Sequence, residues 1–105
     1  MSSLPPQRSW TFLTNHTQVL LCIARDSEIR LRDCAEDVGI TERAAQRIVR
    51  DLIEAGYVTR ERIGRRNHYS INGEAEMRHQ AQYGHEIGEL LRLFEPPIAK
   101  SRSIE

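Results

Sequence analysis

Residues 41–71, TERAAQRIVRDLIEAGYVTRERIGRRNHYSI, decide how the rest of the chain is read. Within them Ala45, Ile48, Val49, Leu52 and Ile53 recur at steps of three, one, three and one, the period of a helix with one buried stripe. Arg43, Gln46, Arg47 and Arg50 fall on a second stripe, roughly 150 to 180° away at ~100° per residue. That stripe is long, polar and mostly cationic. Arginine can hydrogen-bond a guanine edge in a bidentate manner and glutamine an adenine edge, so these are the side chains that direct reading of base pairs requires. A solvated charged face fits the same stripe, and the flanking segments discriminate between the two.

Upstream, LRDCAEDVGI places Leu31, Ala35 and Val38 at offsets of zero, four and seven, a helix of about two turns that ends at Gly39. Gly39 can take the left-handed conformation that closes a helix, and Ile40 follows as an apolar plug in the turn. Thr41 is then an N-cap whose hydroxyl satisfies a free N–H of the next helix. Helix, glycine turn and capped helix form the helix-turn-helix pattern, whose second helix enters the major groove with its N-terminal residues toward the bases. Thr41, Glu42, Arg43, Gln46, Arg47 and Arg50 are therefore the expected DNA-contacting set on the helix. Glu42 fits two roles: favourable interaction with the helix dipole, or acceptance from a cytosine amino group.

Downstream, Gly56 ends the reading helix and Tyr57-Val58 starts a strand that covers the open end of the core. Ile63-Gly64-Arg65-Arg66 reads as the turn of a hairpin, and His68-Tyr69-Ser70-Ile71 returns with Tyr69 and Ile71 on one face. Arg62, Arg65, Arg66, Asn67 and His68 gather near the tip, where they can grip phosphates or enter a minor groove. Taken apart from the helix before it, the tip is an ordinary charged turn.

From about Trp10 to Ile71 the chain resembles the winged helix-turn-helix transcriptional regulators of the ArsR and MarR type, on the residues LRDCAEDVGITERAAQRIVRDLIEAGYVTRERIGRRNHYSI. The resemblance implies that Thr41 to Arg50 lie on the recognition helix and Arg62 to His68 on the wing. It implies a mainly α fold with a small β-hairpin, α+β in class. Metal sensors of the ArsR type carry paired cysteine thiolates on the first helix of the motif; here that helix has only Cys34. No metal and no cofactor is expected.

Charge is distributed to match. The chain is neutral in total, with 15 Lys+Arg against 15 Asp+Glu. Residues 1–40 carry −1, residues 41–70 carry +3 and residues 71–105 carry −2. A basic centre between acidic flanks concentrates positive potential on the helix and wing and suits specific duplex binding better than bulk compaction. With 105 residues there is room for one small domain. No run approaches a membrane span and MSSLPPQRSW lacks a signal peptide's apolar stretch, so the expected location is the cytoplasm. Cys22 and Cys34 read as small buried residues, and His16, His68, His79 and His85 form no pair at metal-ligand spacing. No phosphate-cradling glycine loop, nucleophile motif or His/carboxylate cluster suggests an enzyme.

Four segments are expected. Residues 1–9 form an arm, 10–73 the winged helix-turn-helix, 74–95 a C-terminal helical segment and 96–105 a tail. In the second segment Trp10 and Phe12 precede a helix from about Asn15 to Arg25, capped by Thr14 or Asn15, with Val19, Leu20, Ile23 and Ala24 inward. Glu28-Ile29-Arg30 is expected as a short strand against the wing. In the third, a helical region from about Glu74 to Phe94, loosened near Gly84 and Gly88 and stopped at Pro96-Pro97, bears Ile87, Leu90, Leu91 and Phe94 at offsets of zero, three, four and seven. That stripe packs on its own domain or, with Trp10 and Phe12, on a second subunit; the small core already has three helices, which favours a twofold homodimer. The expected partner is double-stranded DNA bearing an inverted repeat. The competing function, a protein-interaction module without specific DNA binding, would place apolar or aromatic anchors on the outer face of helix 41–55, where this sequence has arginines.

Overall fold

Three helices come first in the computed structural model, which describes residues 10–94. They are α1 (Asn15–Arg25), α2 (Leu31–Val38) and α3 (Glu42–Glu54). α1 starts where Thr14 Oγ1 accepts from the Thr17 N–H at 3.2 Å, and α3 where Thr41 Oγ1 accepts from the Ala44 N–H at 3.0 Å. α2 has Arg30 at its N-cap, which supplies no side-chain cap. Between α2 and α3, Gly39 sits at φ +88°, and both its N–H and that of Ile40 donate to the Ala35 carbonyl, at 2.8 and 3.0 Å. The left-handed residue lets the chain reverse within one turn, which a side chain at this φ would strain. Losing the Thr41 hydroxyl leaves an orphan N–H at the start of α3. Thr41→Ala is accordingly expected to cost about 1 kcal/mol in urea unfolding, with an unchanged m-value. An unaltered midpoint would show that the cap contributes nothing.

The interior is built from the stripes that face one another. Ala45, Ile48, Val49 and Leu52 of α3 are buried, with Ile53 half-buried at the margin. α2 contributes Cys34 and Ala35, with Leu31, Val38 and the plug Ile40 packed at the edge. α1 departs from the expected stripe: Val19 to Ile23 are all buried, including Leu21 and Cys22, whereas Ala24 is exposed. α1 packs against both α2 and α3, which buries more than one stripe, and Ala24 faces solvent.

The hairpin joins β1 (Val58–Ile63) to β2 (Arg66–Ile71), antiparallel, with Val58 opposite Ile71 and Ile63 opposite Arg66. The two-residue loop has Gly64 at φ +64° while Arg65 stays at negative φ, the pattern of a type II′ turn. Buried Val58 and Tyr69 and half-buried Ile71 pin one face of the hairpin to the core. The expected strand at Glu28-Ile29-Arg30 is absent. A single backbone bond, from the Tyr69 N–H to the Ser27 carbonyl at 2.8 Å, ties this segment to β2, too little for a third strand.

Residues 74–94 also depart from expectation. In place of a long helix the chain has an extended run, a 3₁₀ turn at Gln80–Gln82 and the two-turn helix α4 (Ile87–Leu93). Ala75 and Met77 pack toward the core while Glu74, Glu76 and Arg78 face out, a two-residue period that belongs to extended chain. Three backbone bonds close this loop, Met77 N–H to the His85 carbonyl at 3.0 Å, Ile87 N–H to the Ala75 carbonyl at 2.8 Å and Gly88 N–H to the Gly73 carbonyl at 2.8 Å. The buried Tyr57 hydroxyl donates to the Glu76 carbonyl at 2.7 Å. The expected stripe turns inward with it: Ile87 is 7% exposed in the domain's own core, and Leu90 and Leu91 pack against it. The arm at 1–9, the Pro96-Pro97 stop and the tail at 96–105 lie outside the described residues. Among the described residues no helix is long and apolar enough to cross a membrane.

Candidate nucleic-acid interface

α3 is amphipathic in a way that leaves its outer face chemically free. With Ala45, Ile48, Val49 and Leu52 fixed in the core, Arg43, Gln46, Arg47 and Arg50 are carried to the exposed side. Among the described residues none of these three arginines pairs with a carboxylate. Asp51 and Glu54 stand four residues after Arg47 and Arg50, but Asp51 engages His16 and Glu54 pairs with neither arginine, so the guanidinium donors are open to an incoming acceptor. Thr41 and Glu42 sit at the N-terminal end of the same helix and are exposed, although the Thr41 hydroxyl oxygen is already engaged as the cap.

The wing arginines divide into two kinds. Arg62 and Arg65 are exposed at the tip, and Arg62 reaches only the Gly64 carbonyl across the turn, at 3.4 Å. Arg66 and His68 are half-buried and lean on the α1–α2 loop. Arg66 Nη1 donates to the Glu28 carbonyl at 3.2 Å and lies 4.0 Å from Glu28 Oε1, while His68 Nδ1 lies 3.4 Å from Glu28 Oε2. Asn67 is half-buried opposite Arg62. The sequence places Arg62, Arg65, Arg66, Asn67 and His68 near the tip but gives no sign of the Glu28 contacts, which join residues 38 and 40 positions apart.

Helix, glycine turn, capped helix and basic hairpin are thus one arrangement around one core. Residues 13–59 match the winged helix-turn-helix DNA-binding family. The fold is that of a winged helix-turn-helix domain. The matched region runs from the residue before the α1 cap into β1, and β2 completes the wing beyond it. No curated protein matches the chain. A domain of this kind has double-stranded DNA as its partner, and α3 is the second helix of its helix-turn-helix motif.

The two cysteines and His16, His79 and His85 make contacts within the scaffold. Burial pushes the Cys34 thiol up to about 12, reinforced by the neighbouring Cys22, whose own thiol is raised for the same reason. Neither supplies a reactive thiolate near neutral pH. His16 bridges α1 to α3 through Asp51 at 2.8 Å, and His79 Nδ1 accepts from the Ala81 N–H at the 3₁₀ turn. His85, 2.8 Å from Glu89, holds that carboxyl below its ordinary value. A cleft of ≈ 890 Å³ opens beside the C-terminal end of α3 and is lined by Asp51, Leu52 and Glu54 together with Tyr57, Ile87 and Leu90. Arg78 lines it, whereas Arg43, Arg47 and Arg50 do not, so the cleft is separate from the outer stripe of α3.

Proposed function

We propose that this protein is a sequence-specific, dimeric transcriptional regulator, a repressor, that reads the major groove with α3 and holds the backbone or adjacent minor groove with the wing. The observation that carries the reading is the open stripe of Arg43, Gln46, Arg47 and Arg50, set on a helix whose other side is immobilised in the core. Bidentate donors on a rigid element are what direct readout needs, and an interaction module would show apolar anchors there instead. Glu42 favours the helix dipole at the N-terminus. Repression requires nothing beyond occupancy of promoter DNA, and a cytoplasmic location accords with that role.

A second copy accounts for the apolar surface left over. Trp10 is 67% exposed, Phe12 90%, Leu93 75% and Phe94 40%, and the Trp10 and Phe12 rings meet edge to face at 5.2 Å. With Ile87, Leu90 and Leu91 committed to the domain's own core, Trp10, Phe12, Leu93 and Phe94 are the side chains proposed to meet across a twofold axis. Two reading helices would then lie about one turn of DNA apart, ~34 Å, on an inverted repeat.

The test is anisotropy titration against a pool of duplexes that includes the DNA upstream of the protein's own gene, at several salt concentrations. Tight, salt-sensitive binding to a subset is expected. Equal affinity for every duplex would remove sequence-specific regulation. In the same assay Arg65→Ala should lower the slope of log K against log salt by about 1 while leaving the ranking of duplexes unchanged. An unchanged slope would take the wing tip off the phosphates.

A further inference from the structure

A second basic surface lies between the wing and the start of α2. Arg30, Arg65, Arg66 and Asn67 line a crevice of ≈ 420 Å³ whose walls are Leu31 and Tyr69. Three guanidinium-bearing residues around one crevice repel one another unless an anion is shared among them. Among the described residues Arg30 and Arg65 have no carboxylate partner, and the only acid that engages the group is Glu28. Its hold is loose: 4.0 Å to Arg66 Nη1 is beyond hydrogen-bond range, and the Glu28 side chain is about half exposed, at 48%. The shorter bond, 3.2 Å from Arg66 to the Glu28 backbone carbonyl, keeps that guanidinium aimed at the crevice whatever the carboxylate does.

We propose that this crevice seats one backbone phosphate of the bound duplex, with Arg30 as an additional ligand and Glu28 as an internal carboxylate that the phosphate displaces from Arg66 and His68. The proposal rests on the DNA-binding reading above and extends it from the wing to the α1–α2 loop. Two features of the chemistry support it. A phosphodiester offers acceptor oxygens suited to the arginine fork, and the first helix of a helix-turn-helix is the one that crosses the backbone, which puts Arg30 at the right end of α2. Glu28 then acts as a brake: every duplex must compete with it, and its charge limits nonspecific binding.

Anisotropy titrations of wild type, Arg30→Ala, Glu28→Gln and Glu28→Gln in an Arg66→Ala background, on the selected and a random duplex, test this. Arg30→Ala should weaken both duplexes by the same factor, about 3- to 10-fold, and lower the salt slope by about 1. One neutral methylphosphonate linkage, placed in turn along the site, should abolish the difference between wild type and Arg30→Ala at a single position. Glu28→Gln should tighten both duplexes about 2- to 5-fold, and the gain should shrink when Arg66 is Ala. Inorganic phosphate, at ionic strength matched with chloride, should not raise the melting temperature of wild type above that of Arg30→Ala. Selective stabilisation would make the crevice a free-phosphate site and overturn the assignment to DNA. An unchanged slope in Arg30→Ala, or weaker binding by Glu28→Gln, would overturn the crevice while leaving the α3 reading intact. A wild type that binds no duplex would overturn both.

Discussion

Arg47→Ala is expected to weaken binding to the selected duplex by about 1 to 3 kcal/mol, roughly 5- to 150-fold, and to relax preference at one base position. Arg47 sits in the middle of the outward stripe, one turn from Arg43 and next to Gln46, on a helix clamped by Ile48 and Val49 immediately beside it. Because the backbone under it is fixed, the side chain reaches the groove without the helix having to move. A guanine that loses its bidentate partner leaves two acceptors unmatched, so the cost falls on the cognate sequence far more than on random DNA. Competition between cognate and single-substituted duplexes measures this directly. Equal weakening on every duplex would make Arg47 a phosphate contact and move the reading role to Arg43, Gln46 or Arg50.

Ile23→Ala is expected to destabilise the domain by about 2 to 5 kcal/mol, a large share of the ~5 to 15 kcal/mol typical of a small domain. Ile23 is 2% exposed and belongs to the same core cluster as Cys34, Ile48 and Val49, where α1, α2 and α3 meet. Truncation leaves a cavity that three helices cannot close together. Urea unfolding should show a much lower midpoint, and DNA affinity should decline with the unfolded fraction while the folded fraction binds normally at low temperature. A loss below about 1 kcal/mol would mean that the core collapses around the gap, and that α1 is less fixed than its burial suggests.

The parts of the fold that sequence reveals are those set by local period and by turn chemistry. The i, i+3, i+4 spacing of Ala45, Ile48, Val49 and Leu52, the Gly39–Thr41 turn and the Gly64 hairpin each rest on residues within a few positions of one another, and all three appear where the sequence puts them. What fails is read from one-dimensional spacing but decided in three dimensions. Ile87, Leu90, Leu91 and Phe94 have helical offsets, yet the Glu74–Arg78 run ahead of them alternates, and closure of the loop from Ala75 to Ile87 swings the first three into the domain's own core. Ala24 looks inward on the α1 wheel but is exposed. The Glu28 segment approaches the wing as expected, through one backbone bond and a carboxylate rather than through a strand. For the candidate site, the outward arginines of α3 are legible because burial of one stripe dictates exposure of the opposite one. The split between free Arg65 and tethered Arg66 is invisible, since it depends on a contact between residues 38 positions apart.

The central claim is that α3 lies in the major groove and reads base edges. Guanine N7 is exposed only there, so dimethyl sulfate protection on the selected duplex, compared between wild type and Arg47→Ala at saturating protein, tests it most directly. The account predicts guanines protected at N7 in each half-site by wild type, with a protection lost at the position where Arg47→Ala relaxes sequence preference. A duplex fully bound by wild type with every guanine N7 still reactive would contradict it, and would leave a protein that holds DNA by its backbone alone.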